Sequence, residues 1–122
     1  MDPVLTAIRE RTEADVTVKI LLDHRHASYE NTQKRLNEHA PACEVLVWPD
    51  DQRQIDGGRM AALHAKCAVA DGQRAFVSSA NLAGYAMDHN LEVGILVRGG
   101  EIPRGLERHL DALQSSGGIV HA

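Results

Sequence analysis

The stretch LHAKCAVADGQRAFVSSAN, residues 63–81, decides the fold because it predicts a β-hairpin and carries unusual polar residues. Apolar runs flank Asp71 and Gly72, and an Asp-Gly pair between such runs is a strong signal for a tight turn. Successive side chains of a strand point to opposite faces, so His64 and Lys66 are expected to project together from one face. Burying an imidazole beside an ammonium group is costly unless an anion meets them. The stretch therefore predicts a hairpin that receives a phosphate or a carboxylate.

Apolar runs rich in β-branched residues predict strands along the rest of the chain. The expected strands are the segments 16–22, 43–48, 63–70, 73–78 and 90–97. Turn-forming residues fill the segment 49–61, which is expected to be a loop of the kind that often borders a functional site.

Helices are predicted before, between and after these strands. Asp2 before Pro3 predicts a helix start, because an aspartate caps free amides and proline tolerates the first helical position. Helix formers in residues 28–40 and apolar spacing in residues 102–113 predict two more helices. The last of these has an apolar side made of Ile102, Leu106, Leu110 and Leu113. The alternation of helices with about five strands predicts an α/β fold, a mixed β-sheet flanked by helices.

Length and composition limit the class of protein. With 122 residues the chain is expected to form a single domain, residues 1–122, because it is too short for two independent cores. No apolar run reaches the roughly 18 residues that a membrane span requires. The first residues lack the pattern of a secretory signal, so a cytoplasmic location is expected. Cys43 and Cys67 lie in apolar runs without metal-binding spacing and are expected to be reduced thiols.

The charge distribution allows only a local basic site. A net charge of −4 argues against a surface that wraps a long polyanion. Within residues 53–74, however, basic side chains outnumber acidic ones and form a positive island, although such a run is as often a plain solvated face. The basic residues of the island are Arg53, Arg59, Lys66 and Arg74.

Five polar residues at fixed spacing carry a family resemblance: His64, Lys66, Asp71, Ser79 and Asn81. They reproduce the HxKx4D motif and the SxN element of the phospholipase D superfamily, which the chain resembles. Ser78 stands where that family usually has glycine, a departure that bears on the access of a phosphate to the backbone. Glu92 falls where the family places an acidic partner for the histidine. An isolated His-x-Lys pair is most often a solvated strand end, whereas the complete motif favours a site.

The resemblance also implies a homodimer. In that family a sheet lies between helices, and two copies of the motif face each other across a two-fold axis to form one active site. This chain contains one copy, so it is expected to be a phospholipase D-like half that pairs as a two-fold dimer, as in the single-motif bacterial nucleases. The stretch NLEVGILVRGGEIPRGLERHLDAL, residues 90–113, also looks like the phospholipase D-like proteins found with bacterial DISARM anti-phage loci. That likeness implies other defence-system proteins as further partners.

The matched residues meet the needs of phosphodiester cleavage without a metal or another cofactor. Such a site requires cations for the phosphate oxygens, a nucleophile, and an acid for the leaving oxygen. His64 of one subunit, oriented by Glu92, is expected to attack phosphorus, while His64 of the other subunit protonates the leaving oxygen. Lys66, Ser79 and Asn81 are expected to hold the nonbridging oxygens.

Other polar and aromatic residues are weaker candidates. Asp71, which the motif counts among the catalytic residues, is expected to shape the hairpin rather than to contact substrate. His24 and His26 are too few for a metal site and indicate a polar strand end or, alternatively, the lining of a substrate groove. Trp48 is expected to pack rather than to stack on a base, since aromatic residues make up only 3% of the chain.

Three functions remain open on sequence alone. The leading hypothesis is a metal-independent phosphodiesterase, a nuclease that cleaves DNA or RNA through a phosphohistidine intermediate. A phospholipase or phosphatidyl transferase is the runner-up, because the chain lacks the apolar helix with a basic face that a membrane substrate ordinarily requires, and no membrane partner is expected. The third hypothesis is a non-catalytic dimeric subunit of an anti-phage complex, against which the intact set of polar residues argues.

Overall fold

The computed structural model describes residues 2–80 and 90–122. Its elements in chain order are α1 (Pro3–Glu13), β1 (Lys19–Leu22), α2 (Tyr29–His39), β2 (Glu44–Val47), a 3₁₀ turn (Asp50–Gln52), β3 (Gln54–Ile55), β4 (Arg59–Met60), β5 (Cys67–Ala70), β6 (Arg74–Ser78), β7 (Gly94–Arg98), α3 (Glu101–Ser115) and β8 (Val120–His121). The predicted α/β class is confirmed.

The chain divides into two compact units, Met1–Leu63 with Gly117–Ala122, and His64–Ser116. The strands form three sheets in the described residues, with the orders β1-β2-β8, β3-β4 and β5-β6-β7. The sequence predicts one mixed sheet, whereas the described strands form three sheets. Only the first of these sheets combines parallel and antiparallel pairs. The assignment of the whole chain to one domain stays a prediction.

The first unit is built on two parallel strands joined by a helix. The Asp2 carboxylate accepts a hydrogen bond from the Val4 amide at 2.8 Å, which confirms the predicted start of α1. β1 and β2 pair in parallel, with Ile20 opposite Val45, and β8 pairs antiparallel to β2. The core contains the buried side chains of Leu5, Leu36, Leu46 and Ile119.

The segment predicted as a loop, residues 49–61, is more regular than expected. After the 3₁₀ turn it folds back as the hairpin β3-β4, in which Ile55 pairs with Arg59. Gly57 and Gly58 have φ angles of 83° and 74°, in the left-handed region that glycine adopts without strain. The two glycines therefore allow a tight turn between β3 and β4. The sequence does not predict this hairpin because the segment lacks alternating apolar residues.

The second unit contains the predicted hairpin of β5 and β6. Asp71 and Gly72 have φ angles of 55° and 61°, and the Gln73 amide donates to the Ala70 carbonyl at 2.9 Å. The Asp-Gly turn is confirmed, but Ala70 pairs with Arg74, so the loop holds three residues rather than two.

β7 is shorter than the predicted strand 90–97 and begins at Gly94. Its partner β6 ends at Ser78, which pairs with Gly94, so residues 90–92 have no continuing ladder in the described part of the chain. A Cβ atom on Gly94 would lie 2.7 Å from the Phe76 ring. Glycine at this position therefore lets the aromatic ring pack across the strand.

Helix α3 contacts β5, β6 and β7. Ala75 is completely buried, as is Pro103 of the helix, whereas Ala68 and Ala70 on the opposite face of the sheet are exposed. This alternation indicates that α3 covers only the Ala75 face. The predicted apolar side of the helix is partly wrong, because Ile102 is 62% exposed.

Candidate functional site

His64 and Lys66 lie together just before β5. The predicted strand 63–70 begins only at Cys67, although the Ser78 amide donates to the Lys66 carbonyl at 3.0 Å and extends the pairing by one residue. Lys66 Nζ lies 3.4 Å from both ring nitrogens of His64 and 3.2 Å from its carbonyl oxygen. An ammonium group only donates, so it meets the lone pair of an imidazole nitrogen. The geometry places the imidazole and the ammonium group side by side, as the strand pattern predicted.

Ser79 and Glu92 form a second pair just beyond Ser78, at the same end of β6 that Lys66 adjoins. Ser79 Oγ donates to Glu92 Oε2 at 2.5 Å, and it accepts a hydrogen bond from the Val93 amide at 3.1 Å. The Ser79 amide donates to the Val93 carbonyl at 3.0 Å, continuing the β6-β7 ladder. In the described residues, Glu92 thus contacts Ser79 and not His64, its expected partner.

A serine hydroxyl has one proton to donate. At Ser79 that proton points to the Glu92 carboxylate, so the hydroxyl is not free to donate to a phosphate oxygen in this arrangement. The pair instead fixes the chain that leaves β6 to the chain that enters β7.

Ser78, where the family usually has glycine, supports the bend that follows β6. Its hydroxyl accepts a hydrogen bond from the Ala80 amide at 3.0 Å. Side chains of serine commonly hold a turn in this way. The serine therefore stabilises the turn with its side chain at this position.

An open cleft of about 320 Å³ lies beside this bend. It is lined by backbone and side chains from the end of β6 and from residues 90–94, and Glu92 supplies its acidic group. The lining residues are Phe76, Ser78, Ala80, Asn90, Leu91, Glu92, Val93 and Gly94.

The remaining predicted site residues do not join these two pairs. Asp71 lies in the turn at the far end of β5, five residue steps from Lys66, which is about 16 Å at roughly 3.3 Å per residue. Its positive φ angle fits a role in shaping the hairpin. Asn81 lies outside the described residues.

In the first unit, His24 pairs with an aspartate. Its Nε2 lies 2.8 Å from Asp50 Oδ1, and Arg25 contacts the other carboxylate oxygen at 3.3 Å. The hydrogen bond to His24 and the charge of Arg25 hold the pKa of Asp50 below the usual 3.8. His26 contacts the Ser28 hydroxyl at 2.7 Å. Residues 2–80 and 90–122 contain no group of three or more His, Cys, Asp or Glu side chains arranged for a metal ion.

Arg53 does not belong to an exposed positive island, and that part of the prediction is wrong. Its side chain is 3% exposed and donates to Asp23 Oδ1 at 2.8 Å and to the Ala61 carbonyl at 3.0 Å. Its guanidinium also lies 5.1 Å from the centre of the Trp48 ring, which confirms that this tryptophan packs. Sequence reasoning missed this ion pair, for which an aspartate directly after a strand was the only signal.

Two further observations concern the wider class of protein. The helices within the described residues are too short or too polar to cross a membrane. Both cysteines are half-buried free thiols, and burial raises the pKa of the Cys43 thiol.

Comparison with known proteins agrees with the motif. The family model described as "Cardiolipin synthase, PLD-like domain" matches residues 1–114. The DISARM protein DrmC of Bacillus paralicheniformis is 31% identical over 103 residues, which cover 84% of this chain and 40% of the relative. The chain thus spans about two fifths of the length of that relative. No solved structure matches it. Because the family model covers nearly the whole chain, including the His64–Lys66 pair, the chain belongs to the phospholipase D superfamily.

Proposed function

We propose that the protein is a metal-independent phosphodiesterase that cleaves DNA or RNA in a site shared by two subunits. The observation that carries the proposal is the pair of His64 and Lys66, in which the ammonium nitrogen lies 3.4 Å from both ring nitrogens. The pair offers a nucleophile with a cation positioned for a phosphate oxygen. Family membership supports the same reaction class.

The reaction requires two histidines. A ring nitrogen of one His64 uses its lone pair to form a bond to phosphorus, and the bond from phosphorus to the leaving oxygen breaks. His64 of the second subunit gives its proton to that oxygen and then takes a proton from water. The water oxygen bonds to phosphorus as the phosphorus–nitrogen bond breaks, which restores both side chains. The single motif of the chain supports a homodimer as the source of the second histidine.

Lys66 is proposed to neutralise the nonbridging oxygens, with Asn81 and Ser79 as hydrogen-bond donors. In this structure the Ser79 hydroxyl donates its proton to the Glu92 carboxylate. Under the proposal, this hydrogen bond must break before Ser79 can donate to a phosphate oxygen. Glu92 is therefore proposed to act either on Ser79, as in this structure, or on His64 once substrate displaces the hydroxyl. Asp71 is proposed to hold the hairpin that carries Lys66.

A nucleic acid is the proposed substrate. The similarity to a protein named for the DISARM system supports a role in anti-phage defence, with defence proteins as further partners. A phospholipid contains the same phosphodiester group, so an assay must distinguish nucleic-acid substrates from phospholipid substrates. The proposed location is the cytoplasm, where phage nucleic acid is found.

The test compares plasmid DNA, single-stranded DNA, RNA and phosphatidylcholine vesicles as substrates, each with and without EDTA. Cleavage of a nucleic acid that survives EDTA is expected, because His64 takes the place of a metal-bound hydroxide. His64→Ala serves as the inactive control. Activity that is lost on chelation and restored by a divalent ion would contradict the mechanism. Activity on vesicles alone would mean that the substrate is a phospholipid and not a nucleic acid.

A further inference from the structure

Arg74 and Arg98 lie directly opposite each other on adjacent strands. They form the last pair of the antiparallel β6-β7 ladder, so their side chains leave the sheet on the same face. Both residues are exposed. Cross-strand neighbours of this kind have Cβ atoms about 5 Å apart.

This arrangement concentrates positive charge without compensation. Like charges directly opposite on a sheet are destabilising. Among the described residues, no carboxylate lies within ion-pair distance of Arg74 or Arg98: Glu101 forms ion pairs with Arg104 and Arg108, and the Glu107 carboxylate lies against Gly72 in the turn. The two guanidinium groups are therefore available to an anion from outside the unit.

The same face of the sheet also carries the candidate site. Ser78 lies on the face of Arg74, and Lys66 extends the ladder opposite Ser78. Between the two ends lie Phe76 and its cross-strand partner Leu96, which is 51% exposed. Helix α3 covers the other face. One exposed face thus has a cation at the reacting end, an apolar middle, and two arginines at the turn end.

We propose that this face binds the backbone of a polynucleotide that runs from the His64–Lys66 site to the Arg74–Arg98 pair. The inference rests on the proposed function and adds a binding surface to it. Four residues along β6 separate the two ends, about 13 Å at roughly 3.3 Å per residue. That distance corresponds to about four base-pair steps along the axis of a duplex, at a rise of roughly 3.4 Å each, so the two ends can meet different phosphates of one polymer. Arginine pairs phosphate oxygens through two parallel hydrogen bonds.

The spacing favours a polymer over a single phosphodiester. A phosphatidylcholine headgroup placed at His64 and Lys66 has no second phosphate that could reach the arginines. A nucleic acid has phosphates at every step, and Phe76 offers an apolar surface to a base between them. The negative charge of the protein as a whole is compatible with this, since the basic surface is confined to one face.

The experiment compares Arg74→Gln, Arg98→Gln and the double variant with Arg11→Gln, which removes one exposed charge from α1. Binding of a 12-nucleotide single strand is measured by fluorescence anisotropy between 50 and 300 mM salt, on a His64→Ala background that prevents cleavage. Hydrolysis of bis(4-nitrophenyl) phosphate is measured on the native background. The double variant should lower the slope of log Kd against log salt by about 1.4, the value for two phosphate contacts to a single strand. Arg11→Gln should leave the slope unchanged, and all variants should hydrolyse the small diester at the native rate.

Other outcomes have separate meanings. An unchanged slope in the double variant, or no measurable binding of the strand, would overturn the proposed surface. Loss of small-diester hydrolysis in the arginine variants would also overturn it, because it would assign these residues to the reacting centre or to folding. Failure of the native protein to hydrolyse any diester contradicts the proposed function, but the slope still tests the surface.

Discussion

Ser79 Oγ donates a hydrogen bond to Glu92 Oε2 at 2.5 Å, between two residues that the sequence separates by 13 positions. The same hydroxyl accepts from the Val93 amide at 3.1 Å. One side chain therefore connects the end of β6 to the chain that leads into β7. Both residues belong to the proposed catalytic set. Under that proposal, a substrate competes with Glu92 for the single proton that the Ser79 hydroxyl can donate.

Ser79→Ala and Glu92→Gln are expected to be non-additive. If the two side chains act as a pair, the double variant should lose little more activity than the more damaging single variant. The expected coupling is about 1–2 kcal/mol in kcat/KM for a small phosphodiester. Additivity to within about 0.5 kcal/mol would instead indicate that Glu92 acts on another group, with His64 the first to examine.

Lys66→Ala is expected to lower kcat by about 10²-fold, because it removes one positioned cation from the charge that develops on phosphate. Circular dichroism and the thermal midpoint should change little, since within the described residues the lysine side chain donates hydrogen bonds to His64 alone. Lys34→Ala is the matched control, an exposed lysine on α2 that forms a long ion pair with Glu38. Dissociation or unfolding of the Lys66 variant would assign this residue to structure.

Arg53→Gln is expected to destabilise the first unit by about 1.5–3 kcal/mol, the range for hydrogen bonds to charged groups. The substitution removes two hydrogen bonds and leaves the Asp23 carboxylate without its buried cation. Urea unfolding measures the change, and Arg11→Gln should stay within about 0.5 kcal/mol of the native protein. Equal stability of the two variants would mean that water replaces the guanidinium without loss.

The pH dependence of stability provides a separate check on Asp23. Burial alone would raise the pKa of Asp23, but the hydrogen bonds from the Arg53 side chain and the Arg25 amide hold it below 3.8. Above pH 3.8 the carboxylate is charged in both states and its stabilisation is fully present. As the pH falls below that value, the unfolded chain takes up the proton first and the stabilisation is lost. Asp23→Asn should therefore show a smaller loss of stability than the native protein in this acid range, measured by urea unfolding. Parallel pH profiles for the two proteins would contradict the assignment.

The sequence predicted the local features of the site, while pairings between distant segments needed the structure. The Asp71-Gly72 turn and the contact of His64 with Lys66 depend on neighbouring residues, so spacing along the chain was sufficient. The Ser79–Glu92 bond depends on how β7 is aligned with β6, which no local pattern specifies. The family resemblance instead predicts His64 as the partner of Glu92.

Burial explains two further differences between prediction and structure. Composition predicts an exposed Arg53 because arginine side chains usually are exposed, but Asp23 and Trp48 together provide a buried position for it. The spacing of Ile102 predicts that it lies on the apolar side of α3, whereas Pro103 occupies the buried position in the first turn. Tertiary packing decides such cases, and it cannot be inferred from periodicity within one helix.

The shared active site is the central claim, and mixed dimers test it most directly. Native and His64→Ala chains are combined in equal amounts and allowed to exchange subunits, with exchange verified by mass-tagged chains. If one site needs His64 from both subunits, only native homodimers are active, and they make up about one quarter of the population. Activity should therefore fall to about one quarter of that of an undiluted native sample. Activity near one half, with complete exchange, would mean that each subunit works alone and would contradict the shared site.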